Sequence, residues 1–347
     1  MVFDHDPKGY ERVSGTDGAP MAGTSLLSQS DVEDALDVAD ALRVVERTYV
    51  EADRNRVVNP AKLSMHLGDD GGWPDYNAFA INMPAYVDWL DAVGTKWAVA
   101  TWDADVDDPI SSLILLFDLD DGRFDVVMEG MYLTGVRTAL QSAVGMKHLL
   151  PEEPESVGVF GAGFQAAFQL SVADELFDIC DFYIYDINSQ AAGEFAAKMT
   201  DRIDAELTVC ADPAAAARSD VVLTVTDSQS PVLDPEWPSE AGLIVALGSY
   251  RELPDDVIMD ADRLVVDHVE QCLQRGALAD ISAREELTAA DLDATIGEVL
   301  NDERETPVNP SDRTVFVPIG LGALDIAVAK DSYNNIKSDR SEEFNFV

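Results

Sequence analysis

Val157-Gly-Val-Phe-Gly-Ala-Gly-Phe-Gln-Ala-Ala167, with its continuation Phe182-Tyr-Ile-Tyr-Asp-Ile-Asn188, is the stretch whose reading decides the fold. It opens as a short apolar run of the kind that makes a buried parallel strand, then turns on Gly161 and Gly163. Apolar residues at Phe168, Leu170, Ala173 and Leu176 continue it at helical spacing, and the run Phe182 to Tyr185 closes on Asp186. Strand, glycine turn, helix and acid-terminated strand form the pattern expected of a dinucleotide site. Gly161 permits the tight turn, and Gly163 removes the side chain that would block a pyrophosphate. Ala166 lets the helix pack close to the sheet, and the helix N-terminus offers free N–H groups and partial positive charge to phosphates. Asp186 stands where a ribose 2′-hydroxyl is read; its carboxylate would repel a 2′-phosphate, and no Arg follows it, only Ile187 and Asn188. NAD is therefore expected rather than NADP.

Outward from this stretch, apolar runs at 157–160, 182–185, 206–210, 221–226, 243–247 and 264–266 alternate with helix-like segments. They give six candidate strands of a Rossmann-type, doubly wound parallel α/β sheet spanning residues 151–313, after a boundary at Pro151 to Pro154. Residues 23–150 read differently. A helix beginning at Ser30-Asp31 is followed by β-like runs at 62–67, 76–83, 95–101, 112–119 and 124–128, then by a helix from Tyr132 to Leu149. This is the pattern of a mixed or antiparallel α+β domain. The strand at 314–317 and the helix from about Gly322 to Ile336 are expected to return to it, so that the first domain is 23–150 plus 314–340. Residues 1–22 are rich in Gly, Asp and Pro without periodicity and are expected to be a disordered extension, with Met21 as an alternative start.

Sixty-six acids against 23 bases give a formal net charge of −43, spread along the chain rather than gathered in a tail. A folded protein with such a surface fits molar intracellular salt, where a Debye length of roughly 3 Å screens its self-repulsion. Nucleic acid and anionic membranes are excluded as natural partners. The absence of an 18-residue apolar run and of a basic start with an apolar h-region points to a cytoplasmic protein. Cys180, Cys210 and Cys272 follow no ligand spacing, and His5, His66, His148 and His268 form no metal pattern.

Few bases remain to carry chemistry. Lys96 lies in the apolar run Val93-Gly-Thr-Lys-Trp-Ala-Val-Ala-Thr101. It reads either as an edge lysine reaching water or as a cleft cation that grips a carboxylate and assists proton transfer. Arg137, near the start of a largely apolar helix, opposes the helix dipole. It reads either as a structural ion pair or as a fork for a carboxylate or pyrophosphate. Lys62 is a weaker candidate of the same kind. The segment Gly248-Ser-Tyr250 follows a strand and is expected to line the nicotinamide region.

Five segments carry a family resemblance: Met128-Glu-Gly-Met-Tyr-Leu-Thr-Gly-Val-Arg-Thr-Ala139, Phe160-Gly-Ala-Gly-Phe-Gln-Ala166, Ser219-Asp-Val-Val-Leu-Thr-Val-Thr226, Val245-Ala-Leu-Gly-Ser249 and Gly320-Leu-Gly-Ala-Leu-Asp-Ile-Ala327. Across nearly its full length the chain resembles the ornithine cyclodeaminase/mu-crystallin family, which includes archaeal alanine dehydrogenases and ketimine reductases. The resemblance implies a homodimer, with the first domain serving dimerisation and substrate binding. It implies that Lys96 and Arg137 grip the carboxylate of a small amino or imino acid. It places Phe164, Gln165, Asp186, Thr226, Leu247 and Gly248 on the cofactor, with Ser111, or its neighbour Ser112, in contact too. Two departures stand out: Lys62 replaces a usual arginine, and Tyr250 falls where the cyclodeaminases and alanine dehydrogenases place a catalytic Asp. Tyrosine is a far weaker base than a carboxylate at neutral pH. The expected activity is therefore an NAD(H)-dependent oxidoreductase of the ketimine reductase or alanine dehydrogenase type. An ornithine cyclodeaminase and a non-catalytic dinucleotide-binding protein are the alternatives.

Overall fold

The computed structural model describes residues 23–68, 73–102, 109–238, 240–302, 309, 311–336 and 342–344. The expected N-terminal extension lies outside them. Two eight-stranded sheets organise the chain. The second has the strand order 206–209, 181–185, 156–160, 221–224, 243–246, 314–317, 263–266, 294–295, with every neighbouring pair parallel. Its central strands are buried on both faces, which is why they read as unbroken apolar runs rather than alternating ones.

The six expected strands are present, and two more complete the sheet. Thr314–Val317 corrects the expected domain division: it pairs with Leu243–Ala246 on one side and Arg263–Val266 on the other. All four of its residues are buried, as a strand inside a parallel sheet requires. The helix after it, Gly322–Asn335, crosses back to the first domain, where it packs on the helix Val38–Asp53 and the strands Ala78–Val87 and Ala92–Thr101.

The first sheet runs 342–344, 24–27, 123–129, 110–118, 92–101, 78–87, 57–58, with 63–67 also paired to 78–87. All its pairs are antiparallel except Thr24–Leu27 with Arg123–Glu129. The single helix expected from Ser30 is two. Gln29–Ala35 is closed at its start by a capping box from Ser28 and Asp31, and Val38–Asp53 starts afresh with Asp37 accepting from the Asp40 N–H.

One helix, Met131–Leu149, joins the two domains. Its first N–H groups, on Met131 and Tyr132, donate to the Glu129 carboxylate, so an acid complements the positive end of the helix dipole. It lies against the cofactor helix Phe164–Leu176 at Gly135, where an added Cβ would stand 2.5 Å from the Phe168 ring. Gly135→Ala should therefore lower stability by about 1–3 kcal/mol, because overpacking outweighs the usual helical gain from alanine. Thermal unfolding should show a smaller loss when the change is made in a Phe168→Ala background; an equal loss in both backgrounds would contradict this packing.

Candidate active site

The parallel sheet reverses its direction of winding between Ser156–Phe160 and Val221–Thr224, the place where open α/β sheets leave a crevice at the strand ends. Gly161 ends the first of these strands at φ 106°, and a Cβ there would lie 2.8 Å from the Val225 carbonyl oxygen. Only glycine fits. Gly163 caps the next helix without any side-chain hydrogen bond to its first turn, and a Cβ at Gly163 would meet nothing within 4 Å. Open space in front of uncapped helix N–H groups is what a pyrophosphate needs. Asp186 accepts from the Ala162 N–H (2.9 Å) and the Asn188 N–H (2.8 Å), which fixes its carboxylate at the rim of the glycine loop. Ile187 beside it is exposed and carries no charge to meet a 2′-phosphate. These residues fit a dinucleotide of the NAD type.

Thr226, Leu247 and Gly248 stand at the neighbouring strand ends, and the acid that arranges them is Glu252, which sequence reasoning missed. Fully buried, it accepts from Thr224 Oγ1 (2.9 Å), Thr226 N (2.6 Å), Thr226 Oγ1 (2.7 Å) and Gly248 N (2.6 Å). Burial raises its pKa and outweighs the opposing pull of these donors. Leu247 N donates to Thr224 O at 3.0 Å, closing the same rim.

Of the expected cofactor residues, Gln165 has a protein partner and Ser111 lies on the other face of its sheet. Gln165 Nε2 donates to the Gly135 carbonyl (3.1 Å), so this amide ties the cofactor helix to the joining helix. Ser111 pairs with Val99 on the face of the first sheet opposite to Lys96 and is exposed there. Ser112, one residue on, is the serine whose hydroxyl turns inward; it is buried without a hydrogen-bond partner. Phe164 stays exposed at the helix start, its ring against Phe168.

Lys96 is no edge lysine. It sits inside the central strand Ala92–Thr101, 3% exposed, and its Nζ donates to Asp325 Oδ1 at 2.9 Å. Arg137 Nε donates to the same oxygen at 2.7 Å. Asp325 lies on the returning helix Gly322–Asn335 and is 0% exposed, and its second oxygen is buried without a partner. Both readings of Arg137 thus meet at one place: it forms an ion pair, and the pair stands in the candidate site. Behind it, Arg137 Nη1 donates to Gln141 Oε1 (2.8 Å), and Gln141 Nε2 reaches Tyr49 OH (2.8 Å) and Asp267 Oδ2 (3.3 Å). Gly320, at φ 79°, leaves room for the guanidinium, since a Cβ there would stand 2.4 Å from Arg137 Nη1. Lys62 completes the group by donating to the Ile319 carbonyl.

Burial and then the neighbouring Arg137 charge pull Lys62 down to about 7 and Lys96 down to about 8; Asp325 opposes the shift at Lys96, and Asp267 opposes it at Lys62. For Asp325 burial acts upward, but Arg137 and Lys96 together hold it below the ordinary carboxylate value. The cluster holds two lysines whose protons are loosely held near neutrality, beside an acid held below the ordinary carboxylate value. Such a set can orient a carboxylate and exchange a proton. Tyr250 is 46% exposed in the loop after Leu243–Ala246, and its phenol has no hydrogen-bond partner among the described residues. The nearest acid of that loop, Glu252, is turned inward and committed.

Residues 23–340 match the ornithine cyclodeaminase/mu-crystallin family, and the chain belongs to it. It is 30% identical over 322 residues to an alanine dehydrogenase of Archaeoglobus fulgidus, covering 91% of this chain and 96% of that protein. Among solved structures it is similar to Thermococcus litoralis Δ1-pyrroline-2-carboxylate reductase in complex with NADH and L-proline. The TM-score is 0.85 at 25% identity, over 92% of this chain and 100% of that one. It is also similar to an archaeal alanine dehydrogenase dimer with bound NAD, with a TM-score of 0.84 at 27% identity, over 93% and 99% of the two chains.

Because both lysines titrate below their ordinary value, they are charged below about 7 and 8 and lose that charge above. Affinity for a small carboxylate should therefore fall as pH rises through this window, and calorimetric titration across pH 6–10 should show it. Asp325→Asn removes a group that raises Lys96, so the fall should move to lower pH. A profile flat up to pH 10 would contradict the assignment.

Proposed function

We propose that the protein is an NAD(H)-dependent oxidoreductase acting on a small amino acid or its imine, with hydride transfer at the α-carbon. The observation that carries this reading is the Lys96–Asp325–Arg137 cluster, set on the inward face of the first sheet beside the carboxyl-end loops of the parallel sheet. A bound nicotinamide supplies hydride exchange there. The chain's own residues do the rest. Lys62, Lys96 and Arg137 take the substrate carboxylate, and Asp325 holds Lys96 and Arg137 in place behind it. Lys96, with a proton held at about 8, gives or receives the proton at the substrate nitrogen. The relatives named above supply the class: an alanine dehydrogenase and a pyrroline carboxylate reductase.

The loop at Tyr250 offers no free carboxylate, which favours a single proton transfer with hydride over the several transfers of a cyclodeaminase. A homodimer is supported by the outward face of the first sheet, where Leu63, Met65, Trp97 and Leu113 are exposed together on neighbouring strands. The dispersed negative charge supports work in concentrated salt. No helix among the described residues is long and apolar enough to cross a membrane, in keeping with a cytoplasmic site of action.

In concentrated KCl the protein should oxidise NADH in the presence of 2-oxo acids with ammonium, or of cyclic imines. Lys96→Ala should lower kcat by roughly 100-fold or more while leaving NADH affinity within a few-fold. Formation of proline and ammonia from ornithine with no net change in NADH would replace this reading by a lyase.

A further inference from the structure

Two cations of the site make no hydrogen bond to a carboxylate among the described residues. Lys96 and Arg137 share Asp325, and Asp267 is taken by Gly320 N (2.7 Å), Gln141 Nε2 (3.3 Å) and Cys272 Sγ (3.2 Å). Among the described residues Lys62 donates to the Ile319 carbonyl, and Arg275 to a hydroxyl, its Nη1 reaching Ser64 Oγ at 2.6 Å. Two neighbouring cations of the site are thus bound to neutral groups, in a chain with 66 acids and 23 bases.

Their placement gives this arrangement a use. Arg275 belongs to the parallel-sheet domain and reaches across to Ser64 on the strand Leu63–Leu67 of the first domain. Ser64 is two residues from Lys62, and the Arg275 charge is felt at Lys62. The residue after Arg275, Gly276, lies against Ile319 and the Gly248 carbonyl, 3.4 and 3.5 Å from where its Cβ would be. Arg275 therefore leaves the main chain at the rim where the cofactor is expected and ends beside the carboxylate grip. Tyr250 faces it closely enough to interact electrostatically.

Resting on the reading above, we propose that Arg275 is a specificity-determining residue that receives a second, distal carboxylate, so that the preferred substrate is a dicarboxylic amino or imino acid. The α-carboxylate lies on Lys96, Arg137 and Lys62, and the distal one spans Arg275 and the Tyr250 hydroxyl. A guanidinium whose other donors make no hydrogen bond among the described residues offers a fork to such a group. The same charge repels a side-chain ammonium, which sets the site against ornithine and lysine. The half-buried setting makes the contact stronger than an exposed one.

The test is calorimetric titration of the NADH-loaded protein with two unreactive acids, succinate and propionate, alongside turnover of oxaloacetate and pyruvate with ammonium. Succinate should bind more tightly than propionate. Arg275→Ala should weaken succinate by roughly 10- to 100-fold and propionate by less than about threefold, with Arg275→Lys between them. Comparable melting temperatures for the three proteins establish that the fold is retained; if the alanine variant unfolds, Arg275→Lys alone carries the comparison. Equal losses for both acids, or none, would overturn the proposal. Turnover of pyruvate with no preference for succinate would sink the subsite and leave the oxidoreductase reading standing. A succinate preference dependent on Arg275, without NADH oxidation on any oxo acid, would support the subsite and sink the oxidoreductase reading.

Discussion

A single carboxylate oxygen, Asp325 Oδ1, receives both Lys96 and Arg137 in the interior of the protein, and the site depends on it. Three elements meet there: a central strand of the first sheet, the helix joining the domains and the helix returning from the second. Isolated, each of these charges would cost several kcal/mol to bury. Together they satisfy one another only if all three elements are in register, so ionic pairing and domain arrangement are one condition. Two cations around one acid also leave net positive charge, and that excess is what a substrate carboxylate can answer. Burial, and then the neighbouring Arg137 charge, lower the lysine pKa values at the same time, bringing proton exchange within reach of neutral pH.

Glu252 plays the matching part on the cofactor side. Its four hydrogen bonds pull together the ends of two parallel strands, where an open sheet would otherwise leave unsatisfied loop groups beside the crevice. The joining helix then connects both halves. Arg137 on one turn faces the ion cluster, and Gly135, half a turn earlier, accepts Gln165 from the cofactor helix and admits the Phe168 ring. A change in how that helix sits would reach both the carboxylate grip and the glycine loop.

Much of this was legible in the sequence because it rests on local rules. The glycine loop, the acid at the next strand end and the alternation of apolar runs with helices give the parallel sheet directly, and Lys96 is conspicuous where lysines are scarce. What the sequence hid depends on partners far along the chain. Thr314–Val317 has the composition of a buried parallel strand, but its place between two earlier strands is a matter of topology rather than pattern. Ser111 and Ser112 differ only in which face of the sheet they take, and a one-residue change of register reverses that. Glu252 is one of 66 acids with nothing local to mark it. Asp325 did carry a signal: it is an acid flanked by apolar residues in the first half of the helix Gly322–Asn335, where Gly322 to Val328 are all buried. An acid so placed needs a cation, and few were available.

The central claim is that the cluster held by Asp325 is the seat of the substrate carboxylate. The most direct measurement is a crystal structure of the protein with NAD and an unreactive carboxylate. The carboxylate should lie within hydrogen-bonding distance of Lys96 Nζ, Lys62 Nζ and the Arg137 guanidinium, with Asp325 still buried behind Lys96 and Arg137. A carboxylate bound elsewhere, with the Lys96–Asp325–Arg137 contacts sealed against it, would contradict the account.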